Sequence, residues 1–371
     1  MKALDDPLPK HRQVYQALSR DIQSGRLKRG DRLPSEAELG RTFGASRITV
    51  GRAVRDLQLQ GLVERRAGSG TYVTAGSAVR GMSFGLLIPD LGETDIFEPV
   101  CQGMMSSPLA RTHALVWGSP GEPAQTKSNR AWELCRQYIE RRVSGVFFAP
   151  LEFADDETVN QRIAGALDAA RIPIVLLDRT VTPYPHRGHH DLVGIDNRRA
   201  GFIVTDHLLR LGSRRIAFVA EPNAAATVEA REAGYREALY AAALPIDRAL
   251  IGRLDPTDVG AVRSLMESAR PEAIVCANDR TAGRLMRSLM NLGHAIPRDV
   301  RMVGIDDVEF AALLPVPLTT LRQPSRQIGE AALSAMLERV ARKSLPVRDI
   351  LLDVQMVVRG SCGGQSSVVG R

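Results

Sequence analysis

Cysteine is sparse in this sequence: four residues, at 101, 135, 276 and 362, none close enough to another for a metal-binding or redox motif. That spacing excludes a disulfide scaffold and a zinc ribbon, and Cys276, inside the apolar run Ala273–Ala277, reads as a buried reduced thiol. Long hydrophobic runs are missing too. None approaches the roughly 20 residues that a membrane span needs, and Met1-Lys2-Ala3-Leu4-Asp5-Asp6-Pro7 lacks the apolar centre of an export signal. The cytoplasm is the expected setting, with no membrane partner. Lysine nearly vanishes beyond residue 30, leaving only Lys127 and Lys343, neither at the end of an apolar strand. His186, His189 and His190 beside Asp191 sit in a Pro- and Gly-containing loop, where the spacing reads as solvated imidazoles rather than a metal site. There is no nucleophile elbow and no metalloprotease helix. The sequence therefore predicts no metal, no cofactor and no enzyme.

What is present is positive charge, placed at one end. Residues 1–80 hold 15 Lys and Arg against 8 Asp and Glu, and beyond them 34 basic and 34 acidic residues balance. A basic module ahead of a neutral one suggests a polyanion-binding head on a body with another task. Within the head, Ser46-Arg47-Ile48-Thr49-Val50-Gly51-Arg52-Ala53-Val54-Arg55-Asp56-Leu57 reads as a short amphipathic helix. Ser46 caps it, Val50, Val54 and Leu57 form the inner stripe, and Arg47, Arg52 and Arg55 point outward. An arginine face of that size fits a major groove. Taken alone, such a helix is more often a solvated surface, so its neighbours decide.

Those neighbours are a helix from about Lys10 to Ser24 ended by Gly25, a capping box Ser35-Glu36-Ala37-Glu38 opening a second helix through Phe43, and a tight Gly44-Ala45 connection. After Gly61, strand, glycine-rich turn and strand follow: Leu62–Arg66, Ala67–Gly70 and Thr71–Val73, a hairpin wing. The Gly68-Ser69-Gly70 tip has no bulky side chain to keep its backbone from a sugar–phosphate wall or a narrow minor groove, and Arg65 and Arg66 stand at its base. A phosphate-cradling loop would need a helix directly after these glycines, and a strand follows instead.

Leu33-Pro34-Ser35-Glu36, Ala45-Ser46-Arg47-Ile48-Thr49-Val50, Gly61-Leu62-Val63 and Gly68-Ser69-Gly70-Thr71-Tyr72-Val73 together resemble the winged helix-turn-helix of the GntR family of bacterial transcription regulators. The resemblance implies that Arg47 reads a base at the start of the recognition helix and that Gly68 and Gly70 form a minor-groove wing tip. With the helix face and the wing base, the expected DNA-contacting set also takes in Ser35, Thr49, Arg52, Arg55, Arg65 and Arg66. Two positions depart from the family: Ala37 and Gly51 stand where arginine is frequent, so no operator sequence carries over.

From 82 onward, short apolar strands alternate with helical patterns. Ser83–Pro89, Val143–Pro150, Ile172–Asp178, Leu192–Asp196, Arg215–Ala220, Ala273–Ala277 and Val300–Asp306 are the expected strands. Ala200–Leu211, Ala230–Ala243 and Thr281–Leu292 are among the helices. The alternation predicts an α/β body of parallel sheets covered by helices on both faces, and its length predicts two lobes with a cleft. Polar residues follow several strands: Asp90, Asp178-Arg179, Asn278-Asp279 and Asp306-Asp307. One such aspartate is more simply a helix cap; four strand ends with the same habit point to a ligand.

Ile174-Val175-Leu176-Leu177-Asp178-Arg179, Val193-Gly194-Ile195-Asp196-Asn197, Ala230-Arg231-Glu232-Ala233-Gly234-Tyr235, Val303-Gly304-Ile305-Asp306-Asp307 and Leu318–Pro324 are similar to the effector domain of the LacI/GalR family, which shares its fold with periplasmic sugar-binding proteins. By this similarity, sugar contacts fall on Asp178, Arg179, Arg231, Asn278, Asp306 and Gln323, with Asp90 and Phe97 from the first strand–helix loop. Asn197 and Asp279 are expected to serve a helix start or the lobe interface, and Arg214-Arg215 a solvated turn. Carboxylates, amides and guanidinium groups match the paired donor and acceptor character of vicinal hydroxyls, while two carboxylates disfavour an anionic ligand. GntR-type heads also occur on aminotransferase-like bodies that need a pyridoxal-bearing lysine, which this chain lacks at any strand end.

The expected organisation is a winged helix-turn-helix head at 1–74, a linker at 75–81, a two-lobed effector body at 82–360 and a disordered tail at 361–371. The expected function is that of a homodimeric repressor, released from double-stranded operator DNA by a small neutral sugar. Ligand-aided DNA binding is an alternative, and a solute-binding module for transport or chemoreception is the rival from another class.

Overall fold

The chain divides into two units, Met1–Gly81 and Met82–Arg371. The computed structural model describes residues 10–364 except 24–25, 29, 60–61, 67–68, 75–81, 89–94, 119–125, 153–155 and 157. The expected linker, Gly68, Asp90, Gly25 and the tail beyond 364 lie outside the described residues.

In the first unit, α1 (Lys10–Gln23), α2 (Glu36–Phe43) and α3 (Arg47–Leu59) precede a hairpin of β1 (Val63–Arg66) and β2 (Gly70–Val73). The capping box predicted at Ser35 forms in full. Ser35 Oγ accepts from the Glu38 amide at 3.2 Å, and a Glu38 side-chain oxygen accepts from the Ser35 amide at 2.7 Å. Gly44, at φ +56°, ends α2 in the left-handed conformation that glycine adopts without strain. The inner stripe of α3 meets α1 and the wing: Val14, Leu18, Leu39, Val50, Val54, Leu57, Val63 and Val73 are all buried.

The second unit has two six-stranded sheets. The first lobe runs β3 (Ser83–Leu87), α4 (Phe97–Ser106), β4 (Ala114–Trp117), α5 (Lys127–Glu140), β5 (Gly145–Phe148), α6 (Val159–Ala169), β6 (Ile174–Leu177) and β7 (Asp191–Ile195). The second runs α7 (Asn197–Arg210), β8 (Ile216–Ala220), α8 (Ala226–Ala241), β9 (Ile251–Arg253), α9 (Val259–Ala269), β10 (Ala273–Cys276), α10 (Asp279–Asn291), β11 (Arg301–Asp306) and β12 (Thr319–Arg322). The chain then returns through α11 (Ser325–Ala341) and β13 (Asp349–Leu352) to the first lobe, and through β14 (Gln355–Val357) to the second. The orders are β13-β7-β6-β5-β3-β4 and β14-β12-β11-β10-β8-β9. Every pair is parallel except β12 with β14. Three short links join the lobes, around Asp196, Gln323-Pro324 and Asp353-Val354.

Parallel strands buried on both faces read as continuous apolar runs, and Ile174–Leu177 and Ala273–Cys276 are buried throughout. Each lobe also contains one very close helix crossing. A Cβ on Gly201 of α7 would lie 1.9 Å from the Arg231 carbonyl oxygen, and one on Gly234 of α8 1.8 Å from that of Arg198. Gly103 of α4 and Gly329 of α11 repeat the arrangement, each about 2.0 Å from a backbone oxygen of the partner helix.

The expected tail boundary moves outward. Ser361 and Cys362 are fully buried: Ser361 Oγ accepts from the Thr319 amide at 2.8 Å and donates to the Met302 carbonyl at 2.7 Å. Residues 361–364 therefore belong to the second lobe. Arg214 and Arg215 are exposed directly before β8, as expected, but their guanidinium groups are also engaged. Arg214 donates to the Leu209 carbonyl at 3.0 Å and Arg215 to the Ala269 carbonyl at 3.1 Å, tying two helix ends together. His186 and His189 are exposed, whereas His190 is largely buried, 3.5 Å from Asp168, with burial holding its pKa below the usual value.

Candidate functional sites

On the first unit, Ser46 Oγ accepts from the Thr49 amide at 3.2 Å and lies 2.7 Å from the Thr49 hydroxyl, so Thr49 secures the start of α3. Arg47, Arg52 and Arg55 are exposed on the face opposite the core. Glu36, the first residue of α2, lies between this helix and the wing: its carboxylate is 3.5 Å from Arg47 Nε and 3.3 Å from Arg65 Nη2. Surface pairs of this kind add little stability, but they hold two guanidinium groups over the same edge. Arg66 instead turns back along β1 to Glu64 at 2.7 Å and covers the Tyr72 ring at 4.8 Å. Gly70 sits at φ +127°, and a Cβ there would meet Arg32 Nε at 2.7 Å, so the turn itself requires glycine. Ser35 is committed to its cap.

In the second unit, a cleft with a cavity of about 230 Å³ lies between the lobes. Asp178 and Arg179, just past β6, line one wall, and Arg231 of α8, Asn278 and Asp306 line the other. Five of the eight sequence-predicted effector residues thus converge. Gln323 stands one layer back, its Nε2 donating to Asp306 Oδ1 at 2.6 Å. Phe97 is not an aromatic wall of the cleft: as the first residue of α4 it is buried in the core, with Arg179 above its ring at 5.9 Å.

Each charged group is held by specific partners. Arg179 Nη1 is 3.2 Å from Glu152 and its Nε 3.3 Å from Asp178 Oδ2. Arg231 donates to Asn197 Oδ1 at 2.8 Å and to the Ala277 carbonyl at 2.6 Å, and lies 3.4 Å from Asp306 Oδ1. Asn197 is therefore a positioning residue for Arg231, while the neighbouring Asp196 caps α7. Asn278 caps α10 through the Thr281 amide at 2.8 Å, so its oxygen is committed even though the residue faces the cleft. Asp178 adopts φ +66° and its Oδ1 is buried without a hydrogen-bond partner. An acceptor desolvated in this way is costly unless something donates to it.

Sequence reasoning missed Glu152, Glu221 and Arg284. Glu221 follows β8 directly and pairs with Arg284 at 2.9 Å, so the strand-end rule that found Asp306 would have found it. Glu152 lies four residues past β5; its other oxygen accepts from the Ala225 amide across the cleft at 3.1 Å, latching the lobes. Arg280 and Asp95 approach from opposite lobes to 3.6 Å.

Behind this wall, Asp279 is fully buried, accepting from Thr320 Oγ1 at 2.6 Å and from the Val308 amide at 3.1 Å. Burial, and then the neighbouring Asp306 carboxylate, push its carboxyl up to about 7. Asp306 is pushed to about 6 by burial, against the pull of Arg231. A carboxyl whose pKa rises on folding takes up a proton, so its stabilising contribution is present at low pH. It is lost as pH climbs from the ordinary aspartate range through about 7. The second unit is expected to melt at a higher temperature in mildly acidic than in mildly alkaline buffer, and Asp279→Asn to flatten that difference. Melting curves of both proteins at two pH values check it; an unchanged slope in the variant would refute the role of Asp279.

Comparison with known proteins places both units. Residues 10–73 match the bacterial regulatory proteins of the gntR family, and residues 205–362 match the periplasmic binding protein-like domain. The arabinose metabolism transcriptional repressor of Geobacillus stearothermophilus is 27% identical over 368 residues, covering 95% of this chain and 98% of that protein. The HTH-type transcriptional repressor PurR of Vibrio cholerae is 31% identical over 237 residues, covering 62% of this chain and 68% of the repressor. Among solved structures, a transcriptional regulator CelR–cellobiose complex superposes with a TM-score of 0.64 at 24% identity, over 89% of this chain and all of that one. The transcription regulator GntR of Chromobacterium violaceum gives 0.60 at 26% identity, over 76% and 100%.

Proposed function

Because the chain belongs to the bacterial transcription regulators that carry a GntR-type DNA-binding head on a LacI-like, periplasmic-binding-protein-like body, we propose that it is a cytoplasmic, homodimeric repressor released from its operator by a small neutral sugar. The observation that carries the choice of ligand is Asp178 Oδ1, a desolvated acceptor without a donor, in a cleft wall facing the Arg231–Asp306 pair. A sugar hydroxyl donates to the first, and vicinal hydroxyls both donate to Asp306 and accept from Arg231. Carboxylates on both walls disfavour a phosphate or carboxylate ligand. The arabinose repressor aligned over nearly the whole chain and the cellobiose-bound neighbour support a sugar.

Arg47, Arg52 and Arg55 are the proposed groove contacts of α3, with Arg65 at the wing. Two heads in a dimer meet an inverted repeat. Release requires that the sugar bind one body conformation better than the other, since equal affinity shifts nothing. The Glu152–Ala225 latch spans the lobes, so opening the cleft would break it.

Thermal-shift measurement against a panel of neutral sugars tests the ligand: a sugar bound only by the folded body raises its melting temperature by mass action. We expect one neutral monosaccharide or a close relative to do so and its phosphorylated form not to. A shift with sugar phosphates alone would overturn the reading.

A further inference from the structure

Ile48 is out of place on the surface of the first unit: a large apolar side chain, 88% exposed, in the first turn of α3. Successive helix residues advance by about 100°. That step orders the outward face as Arg47, Gly51, Arg55, Ile48 and Arg52, so the isoleucine lies between Arg55 and Arg52, inside the arginine face rather than at its edge. Gly51 beside it carries no side chain, and the nearest atom to a Cβ built there would be Glu36 Oε1, 3.8 Å away. Gly51 therefore adds no side chain over Ile48, which stands open to a surface laid against the helix. Its fold-stabilising neighbours, Val50 and Val54, point the other way and are buried.

The floor of a major groove offers one apolar feature, the C5-methyl group of thymine. We propose that Ile48 packs on a thymine methyl adjacent to the guanine read by Arg47, and so fixes one base pair of the operator. The proposal rests on α3 being the groove-reading helix. A cytosine at that position would set its amino donor against the isoleucine and leave it unpaired, so the same side chain also selects against the wrong base.

The test uses the full chain and a pool of random DNA duplexes, from which bound sequences are enriched. In the enriched duplex each thymine is then replaced, one at a time, by deoxyuridine, which lacks only the methyl group. At one position, next to the guanine on which Arg47→Ala no longer depends, the replacement is expected to weaken wild-type binding about 4-fold, the value of one buried methyl-sized group at roughly 0.8 kcal/mol. The Ile48→Ala protein is expected to be indifferent to that replacement while keeping the same salt dependence. Ile48 is exposed, so alanine leaves the core untouched. Insensitivity of the wild type to every replacement, or equal sensitivity of both proteins, would sink the contact alone. Failure of the pool to enrich any duplex would sink the operator reading, and this contact with it.

Discussion

Arg47→Ala is expected to cut the preference for operator over random duplex steeply while the sugar-induced thermal shift stays at its wild-type size. A bidentate arginine–guanine pair discriminates by about 1–3 kcal/mol, roughly 5- to 150-fold per half-site, and the proposed dimer, with two heads, squares that factor. The substitution is clean because the Arg47 side chain is 81% exposed, its pair with Glu36 at 3.5 Å is a surface contact, and alanine is the better helix former. Residual binding should keep nearly the same slope against salt, since a base contact rather than a phosphate contact has gone. An Arg65→Ala control should weaken operator and random duplex alike and lower the slope by about one. Gel-shift titrations at several salt concentrations separate the two, and an Arg47→Ala protein whose preference for operator is undiminished would move base reading elsewhere on the head.

The complementary result is expected from Asp306→Asn: operator affinity unchanged without ligand, and a protein that stays on DNA at sugar concentrations that release the wild type. Asparagine keeps the shape of the aspartate that already stands at φ +127° and leaves an oxygen for Gln323. It removes the charge that faces Arg231 and the acceptor strength offered to a hydroxyl. Hydrogen bonds to charged groups contribute about 1.5–3 kcal/mol, so affinity for the sugar should fall at least about tenfold by calorimetry. Loss of both activities in both variants would show that reading and sensing are not divided between the two units.

Much of this was legible because it is local. The Ser35 cap, the α3 stripe and the wing follow from spacings within a few residues, and fully buried parallel strands announce themselves as apolar runs. Strands such as Ala114–Trp117, Ile251–Arg253 and Gln355–Val357 escaped notice because they are short, lie at sheet edges and are partly exposed, so no apolar run marks them. Within the cleft, resemblance located Asp178, Arg231 and Asp306. It could not say that Phe97 turns into the core, or that Asn197, 34 residues before Arg231, orients its guanidinium. Those facts depend on how α4 and α7 pack, and packing at that range leaves no periodic trace.

The last links of the chain have a consequence for biosynthesis. β13 borders β7 in one sheet and β14 borders β12 in the other, and both strands follow α11, after every other strand of the two sheets. Until these strands have emerged from the ribosome, β7 and β12 each stand as an unpaired edge, and the first lobe's sheet is completed just ahead of the second's. A premature stop shortly after residue 341 would open both sheets at once, leaving two adhesive borders on a chain whose head had long since emerged.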